Sequence, residues 1–225
     1  MKYYNIAIDG PAGAGKSTIA KGVAKKLRFI YVDTGAMYRA MALYAIRQKV
    51  DPEDAPAITQ ACNLVHVTIE YMNGEQQVIL NGENVTGLLR SEEVGKMASA
   101  VARHSGVRTK MVDLQRELAA TANVIMDGRD IGTVVLPNAD LKIYLTASSK
   151  ERARRRYAEL AEKGAGCDIH AIEQDIIARD NQDMNREISP LRQAADAVLI
   201  DSSDLSIDQV IDRIIELYHK KCEGK

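Results

Sequence analysis

The sequence predicts an α/β protein whose strands lie parallel in one sheet, and three features predict it. Short apolar runs recur along the 225 residues, helical runs separate most of them, and a glycine-rich turn, "GPAGAG", joins the first apolar run to the first helix. Strands that alternate with helices assemble into a parallel sheet covered by those helices.

"YYNIAID" (3–9) reads as a buried strand that ends at Gly10. From Lys16 to Leu27, the residues Ile19, Ala20, Val23, Ala24 and Leu27 recur at helical period. "RFIYVD" (28–33) is the second strand, and "AMYRAMALYAIRQK" (36–49) a helix rich in Ala, Met and Leu. "DPEDAP" (51–56) reads as a loop. The segment 65–87, "VHVTIEYMNGEQQVILNGENVTG", breaks the rhythm. Its Asn-Gly pairs at 73–74 and 81–82 suit type I′ turns, whose central residues both need positive φ. This segment reads as an antiparallel meander of about three strands inserted in the α/β core. Helical runs follow at 91–104 and 107–121, then strands at "NVIMDG" (123–128) and "LKIYLTA" (141–147). Helices at 149–163 and 170–185 precede the strand "ADAVLIDS" (195–202). The last helix starts at the N-cap Ser206 and carries Ile207, Val210, Ile211, Ile214, Ile215 and Tyr218 on one face.

At 46% hydrophobic and 27% charged residues, the chain has the composition of a globular protein with a sizeable core. A net charge of −1 excludes the broad basic surface of a nucleic-acid binder, so any basic site is local. Cys62, Cys167 and Cys222 lack metal-ligand spacing and read as reduced thiols. The histidines at 66, 104, 170 and 219 form no zinc or Ser/His/Asp constellation. No window approaches the roughly 18 apolar residues of a membrane span, and "MKYYNIAIDG" is too short in apolar residues for a secretion signal. A cytoplasmic protein with no membrane or nucleic-acid partner is expected. Nothing in the charge balance or heptad pattern calls for an oligomer, and a monomer is expected.

Gly10, Pro11, Ala12, Gly13, Ala14, Gly15, Lys16 and Ser17 match G-x-x-x-x-G-K-[ST], with Thr18 following inside the helix. Glycines let backbone N–H groups converge on phosphate without a Cβ in the way. The following helix adds its unpaired amides and its dipole. In this pattern Lys16 reaches the β- and γ-phosphates, and the Ser17 hydroxyl helps to hold Mg²⁺. A lysine opening a helix is disfavoured unless an anion sits there. The loop therefore reads as a nucleoside triphosphate site, which leaves switches, motors and small-molecule kinases open.

Three further stretches are rich in phosphate-binding residues. "DTGAMYR" (33–39) follows the second strand, on the sheet edge where ligands of such folds bind. "DGRD" (127–130) follows another strand, with Asp127 placed as a Mg²⁺-organising acid and Arg129 and Asp130 on the loop. "ERARRRYAEL" (151–160) and "ARDNQDMNR" (178–186) are arginine-rich. Arg179, Asp183 and Arg186 fall at i, i+4 and i+7, on one helical face spanning roughly 10 Å. Guanidinium groups grip oxyanions in two places and neutralise charge in phosphoryl transfer. For Arg152, Arg154, Arg155 and Arg156 the alternative is a solvated face paired with Glu151 and Glu159. For Arg179 and Asp183 the alternative is a simple helix salt bridge.

"GPAGAGKST", "DTGAMYR", "DGRDIGTVVLP" and "RDNQDMNR", in this order and spacing, resemble the bacterial cytidylate kinases over nearly the whole chain. The resemblance implies a P-loop NTPase-type core of five parallel strands flanked by helices, a small antiparallel β insert and a short helical lid. It implies a single kinase chain with its core at 1–60, 88–150 and 186–225. The monophosphate-binding insert would lie at about 61–87 with adjoining helices to about 105, and the lid at about 151–170; in "AEKGAGCD", beside the arginine cluster, Gly164 and Gly166 read as flexible hinge residues. It implies transfer of a phosphoryl group from ATP, with Mg²⁺, to CMP or dCMP. Lys16, Arg129, Arg155 and Arg179 would serve catalysis, and residues 10–18 would bind the donor. Thr34 and Arg39 would meet the acceptor, Arg39, Arg129 and Arg179 would grip its phosphate, and Ser99, Arg108 and Asp130 would bond the cytosine. Asp183 and Arg186 would read the sugar hydroxyls. For Ser99 a helix-packing role is the alternative. The family shows serine where this chain has Thr34, which keeps the hydroxyl. Another monophosphate such as UMP, a small metabolite as acceptor, and a nucleotide switch are the rival readings.

Overall fold

The computed structural model describes residues 2–162 and 166–222. The chain divides into two compact units, one formed by Met1–Tyr31 with Ala122–Lys225 and the other by Val32–Thr121.

The first unit is built on apolar strands. β1 (Asn5–Asp9), β2 (Ile30–Asp33), β6 (Val124–Gly128), β7 (Leu141–Thr146) and β8 (Val198–Asp201) form a sheet of order β2-β6-β1-β7-β8. β1 pairs in parallel with β6 and β7, and β7 with β8. Ile6, Ala7 and Ile8 on successive positions are all fully buried, as a strand covered on both faces requires. The helices α1 (Lys16–Leu27) and α8 (Ile207–Cys222) pack with the sheet in one core. Ile19 and Val23 of α1 meet Val210, Ile211, Ile214 and Tyr218 of α8 there. The Tyr218 ring stands edge-on to Phe29 at 5.5 Å and to Tyr4 at 6.0 Å. α6 (Ser149–Glu162) and α7 (Ile169–Asn185) complete the unit and pack on each other.

The second unit holds α2 (Thr34–Arg47), α3 (Ala55–Leu64), α4 (Glu92–Val101) and α5 (Ser105–Thr121). It also holds the antiparallel sheet β3 (Val67–Met72), β4 (Glu75–Leu80) and β5 (Glu83–Asn84). Asn73 and Gly74 have φ of 54° and 79°, and Asn81 and Gly82 have 48° and 86°, so both Asn-Gly pairs turn as the sequence requires.

Two elements differ from the expectations. Residues 55–64, between the loop and the meander, form the helix α3. Asp54 caps it by accepting the Ala57 N–H at 3.0 Å, and Pro56 occupies its first turn, where no N–H is needed. After "DGRD" the chain makes a π-helical turn, Ile131–Val135, that the sequence pattern does not announce. The hinge residue Gly164 lies outside the described residues.

Candidate active site

The glycine-rich loop adopts backbone that side chains resist. Gly10, Gly13 and Gly15 have φ of 151°, 75° and 83°. A Cβ on Gly10 would lie 1.9 Å from the Leu145 carbonyl oxygen, so β7 leaves no room for any other residue there. Gly15 caps α1 in the left-handed region and offers no side-chain hydrogen bond to the helix amides. The first-turn N–H groups of α1 thus keep their donor capacity for an anion.

Lys16 opens α1 and is only 6% exposed. Its Nζ donates to the Pro11 carbonyl at 2.7 Å, folding the side chain back over the loop. Burial pushes its pKa down to about 7, and the nearby Arg129 charge adds to this against the pull of Asp127, Asp183 and Asp9. The ammonium therefore stands where only a further anion would make it comfortable.

The Ser17 hydroxyl donates to Asp127 Oδ2 at 2.9 Å, and the Tyr31 hydroxyl to Oδ1 at 2.8 Å. Asp127 is the penultimate residue of β6 and is 5% exposed. A hydroxyl and a carboxylate this close form a hard-oxygen pair that fits Mg²⁺. Asp9, at the end of β1, accepts the N–H groups of Ile131 and Gly132, each at 2.7 Å. It thereby pins the π-helical turn to the strand that launches the phosphate loop. Burial raises its pKa to about 6, although those two N–H bonds favour the charged form.

Arg129 reaches α7, where its Nε donates to Asp183 Oδ2 at 2.7 Å. Burial works against the Asp183 charge, yet Arg129, Arg179 and Arg186 together hold its pKa below the usual carboxylate range. Arg186 Nη2 stands 3.7 Å from Asp130 Oδ1, and its Nε donates to the Ser189 carbonyl at 2.6 Å. The backbone at Arg186 is extended, so it caps α7 rather than continuing the helical face drawn through Arg179 and Asp183. Arg179 is exposed on α7.

The arginines of α6 part company. Arg154 pairs with Glu151 and Arg156 with Glu159, and both guanidinium groups lie largely in solvent, as the solvated-face alternative has it. Arg155 is held by Glu151 at 2.9 Å and donates to the Ser202 carbonyl at 2.7 Å, beside Gly15. Arg152, which the sequence does not set apart from its neighbours, departs from the solvated-face alternative. It is 5% exposed, and its guanidinium donates to Ala147 O and Ala12 O, each at 2.9 Å, and to Asp180 Oδ2 at 2.7 Å. One side chain thus ties α6 and α7 to the backbone of the phosphate loop. Its sequence signal is weak, because Arg152 and Arg154 look alike until burial separates them.

In the second unit, Thr34 begins α2 and is 3% exposed. Asp33 caps that helix, accepting the Ala36 N–H at 2.9 Å, and pairs with Arg39 Nη2 at 3.0 Å. Arg108, on α5 and buried, sets its guanidinium 5.7 Å from the Tyr38 ring centre. Ser99 on α4 donates to the Gly95 carbonyl at 3.3 Å, a bond within its own helix.

Among the described residues no helix is long and apolar enough to cross a membrane. A parallel sheet whose first strand feeds a glycine loop and a lysine-headed helix, with an acid near the end of the adjacent strand, defines a P-loop NTPase-type fold. Solved structures share it. The shikimate kinase from Acinetobacter baumannii aligns with TM-score 0.51 at 14% identity, covering 98% of this chain and 96% of that one. A gluconokinase from Sinorhizobium meliloti aligns with TM-score 0.52 at 10% identity, covering 98% and 94%. At these identities the likeness concerns the fold alone.

The sequence comparisons are narrower. The family description "Cytidylate kinase" matches residues 6–220. A cytidylate kinase from Caldicellulosiruptor bescii is 50% identical over 98% of this chain and 97% of its own. One from Geobacillus sp. (strain WCH70) is 49% identical over 96% of both. The chain belongs to the cytidylate kinase family.

Proposed function

We propose that the chain transfers the γ-phosphoryl group of ATP directly to CMP and dCMP, giving CDP and dCDP. The observation that carries this reading is the grouping of Lys16, Ser17, Asp127, Arg129 and Asp183 around one glycine loop in a single compact unit. Both reactants are polyanions, so the work is positioning and charge neutralisation. Residues Gly10 to Thr18 hold the triphosphate. Lys16 exchanges the Pro11 carbonyl for phosphate oxygens. Ser17 and Asp127 would hold Mg²⁺, which offsets phosphate charge when bound. Arg129, fixed by Asp183, and Arg179 neutralise the transferring group, and Arg155 closes over it when it leaves Ser202. The lid comprises about residues 151–170.

Thr34, Arg39, Ser99, Arg108 and Asp130 receive the acceptor nucleotide, with Asp183 and Arg186 at its sugar. Arg39 suits this role. Its Nε is enclosed and has no hydrogen-bond partner among the described residues, which is the state of a donor kept for a phosphate oxygen. The enzyme works as a cytoplasmic monomer. The core lies at 1–60, 88–150 and 186–225, and the acceptor insert at about 61–87 with helices to about 105.

A coupled assay of ADP production against a panel of monophosphates tests the reading. Fast turnover with CMP and dCMP, and slow turnover with UMP, AMP and shikimate, is expected. Hydrolysis of ATP that ignores the monophosphate would overturn it.

A further inference from the structure

Gln76 lies on β4, 43 residues from the "DTGAMYR" motif, and no phosphate-binding pattern includes it. Its side-chain amide grips the backbone of Asp33 from both sides. Gln76 Oε1 accepts the Asp33 N–H at 2.7 Å, and Gln76 Nε2 donates to the Asp33 carbonyl at 3.3 Å. The orientation of the amide is dictated, because an N–H needs the oxygen and a carbonyl needs the nitrogen. β2 is the edge strand of its sheet, and Asp33 ends it. The amide therefore supplies one rung of a strand ladder that no neighbouring strand provides.

Asp33 is the residue on which the acceptor motif turns. Its carboxylate caps α2 through Ala36 N and holds Arg39 Nη2, and the next residue is Thr34. A rotation of the Asp33 peptide would swing the carboxylate and with it the Arg39 guanidinium. The space is tight. A Cβ on Gly35 would lie 3.2 Å from both Arg39 Nη1 and Asp33 Oδ1, so the carboxylate, the guanidinium and the helix start are packed as one set. Hydrogen-bonding both peptide groups of Asp33 fixes the orientation of that set.

We infer that Gln76 is a positioning residue for the acceptor: its amide locks the Asp33 backbone so that Arg39 is aimed at the acceptor's phosphate before binding. The inference rests on the reading of Arg39 as an acceptor ligand. It gives the small antiparallel sheet a task beyond bulk, since β4 sets the geometry of a helix start far away in sequence. Gln76 touches no reacting atom, so its effect appears in acceptor affinity rather than in donor affinity.

Three variants test it by steady-state kinetics, with CMP and ATP each varied, and by thermal unfolding. Gln76→Met keeps the volume and removes both bonds. Gln76→Glu keeps an acceptor for the Asp33 N–H but sets an oxygen against the Asp33 carbonyl. Both are expected to raise the KM for CMP about tenfold, the size of one to two lost hydrogen bonds. The KM for ATP should stay at the wild-type value, while the unfolding midpoint falls by only a few degrees as the Asp33 peptide groups lose their partners. Arg39→Ala is the control, with a larger rise in the same constant. If Arg39→Ala leaves the KM for CMP unchanged, the acceptor reading itself fails. If Arg39→Ala raises it and neither Gln76 variant does, or if the Gln76 variants raise both KM values alike, the positioning role of Gln76 is refuted.

Discussion

Raising the pH from 6 to 9 should make ATP binding take up a proton, and the residue that takes it is Lys16. Buried in the unliganded loop, Lys16 has its pKa pushed down from 10.5 to about 7. Triphosphate oxygens beside the ammonium reverse the cause and return the pKa toward or above its ordinary value. At pH 8 about nine in ten of the free molecules carry a neutral Lys16, so binding should consume about 0.9 proton. ATP affinity should therefore weaken as pH rises above about 7, by up to about tenfold per pH unit. The same shift acts on folding with a definite sign. Because the folded pKa is depressed, the unfolded chain binds more protons between about pH 7 and 10.5. The burial of Lys16 therefore penalises the fold without nucleotide in full below about pH 7, and that penalty fades as pH rises from about 7 to 10.5. The assay is calorimetry of a non-hydrolysable ATP analogue in buffers of different ionisation enthalpy. The slope of observed heat against buffer enthalpy counts protons. A slope near 0.9 at pH 8 and near zero at pH 6 is expected. A slope near zero at both would show that Lys16 stays charged in the empty loop, and the electrostatic reasoning would fail.

Three substitutions extend the argument. Gly10→Ala forces a Cβ against the Leu145 carbonyl and should cost about 3 kcal/mol or more, with ATP binding lost, by denaturant unfolding and equilibrium binding. Arg152→Met leaves Asp180 buried without its cation, so unfolding should come about 3–5 kcal/mol more easily, with a midpoint roughly 10 °C lower. The double change Arg152→Met with Asp180→Asn should recover part of that loss. Tyr31→Phe removes one of two hydroxyls that hold Asp127 and should raise the magnesium needed for half-maximal turnover about threefold, while the unfolding midpoint moves by less than about 3 °C.

The legible parts of the sequence were those where backbone geometry leaves one solution. The phosphate loop requires glycines, and the meander turns at Asn-Gly pairs, so residue type alone places both. The helix α3 was signalled only by Asp54 and Pro56, and its apolar face is short: Ile58, Ala61 and Cys62 are its buried residues. Partnerships of long polar side chains were not legible. Arg152 and Arg154 sit two residues apart in the same helix, and only the depth of packing makes one a buried tie and the other a solvated pair. Arg186 fits a helical face by spacing, but the helix ends at Asn185 and leaves Arg186 extended. Gln76 stands in "EQQ", where nothing in residue type or period separates it from Gln77.

Ile30 N–H bonds to the Asn123 carbonyl at 2.9 Å, and between these two residues the chain makes the whole excursion Val32–Thr121. Closing a flexible loop of about 90 residues costs about 4 kcal/mol of chain entropy, before any constant term. An excursion that folds first holds its own ends near each other and removes most of that cost. Assembly of the parallel sheet at β2 and β6 is thus tied to the folding of the intervening segment. Slow refolding of the five-stranded sheet would then trace to mutations within Val32–Thr121.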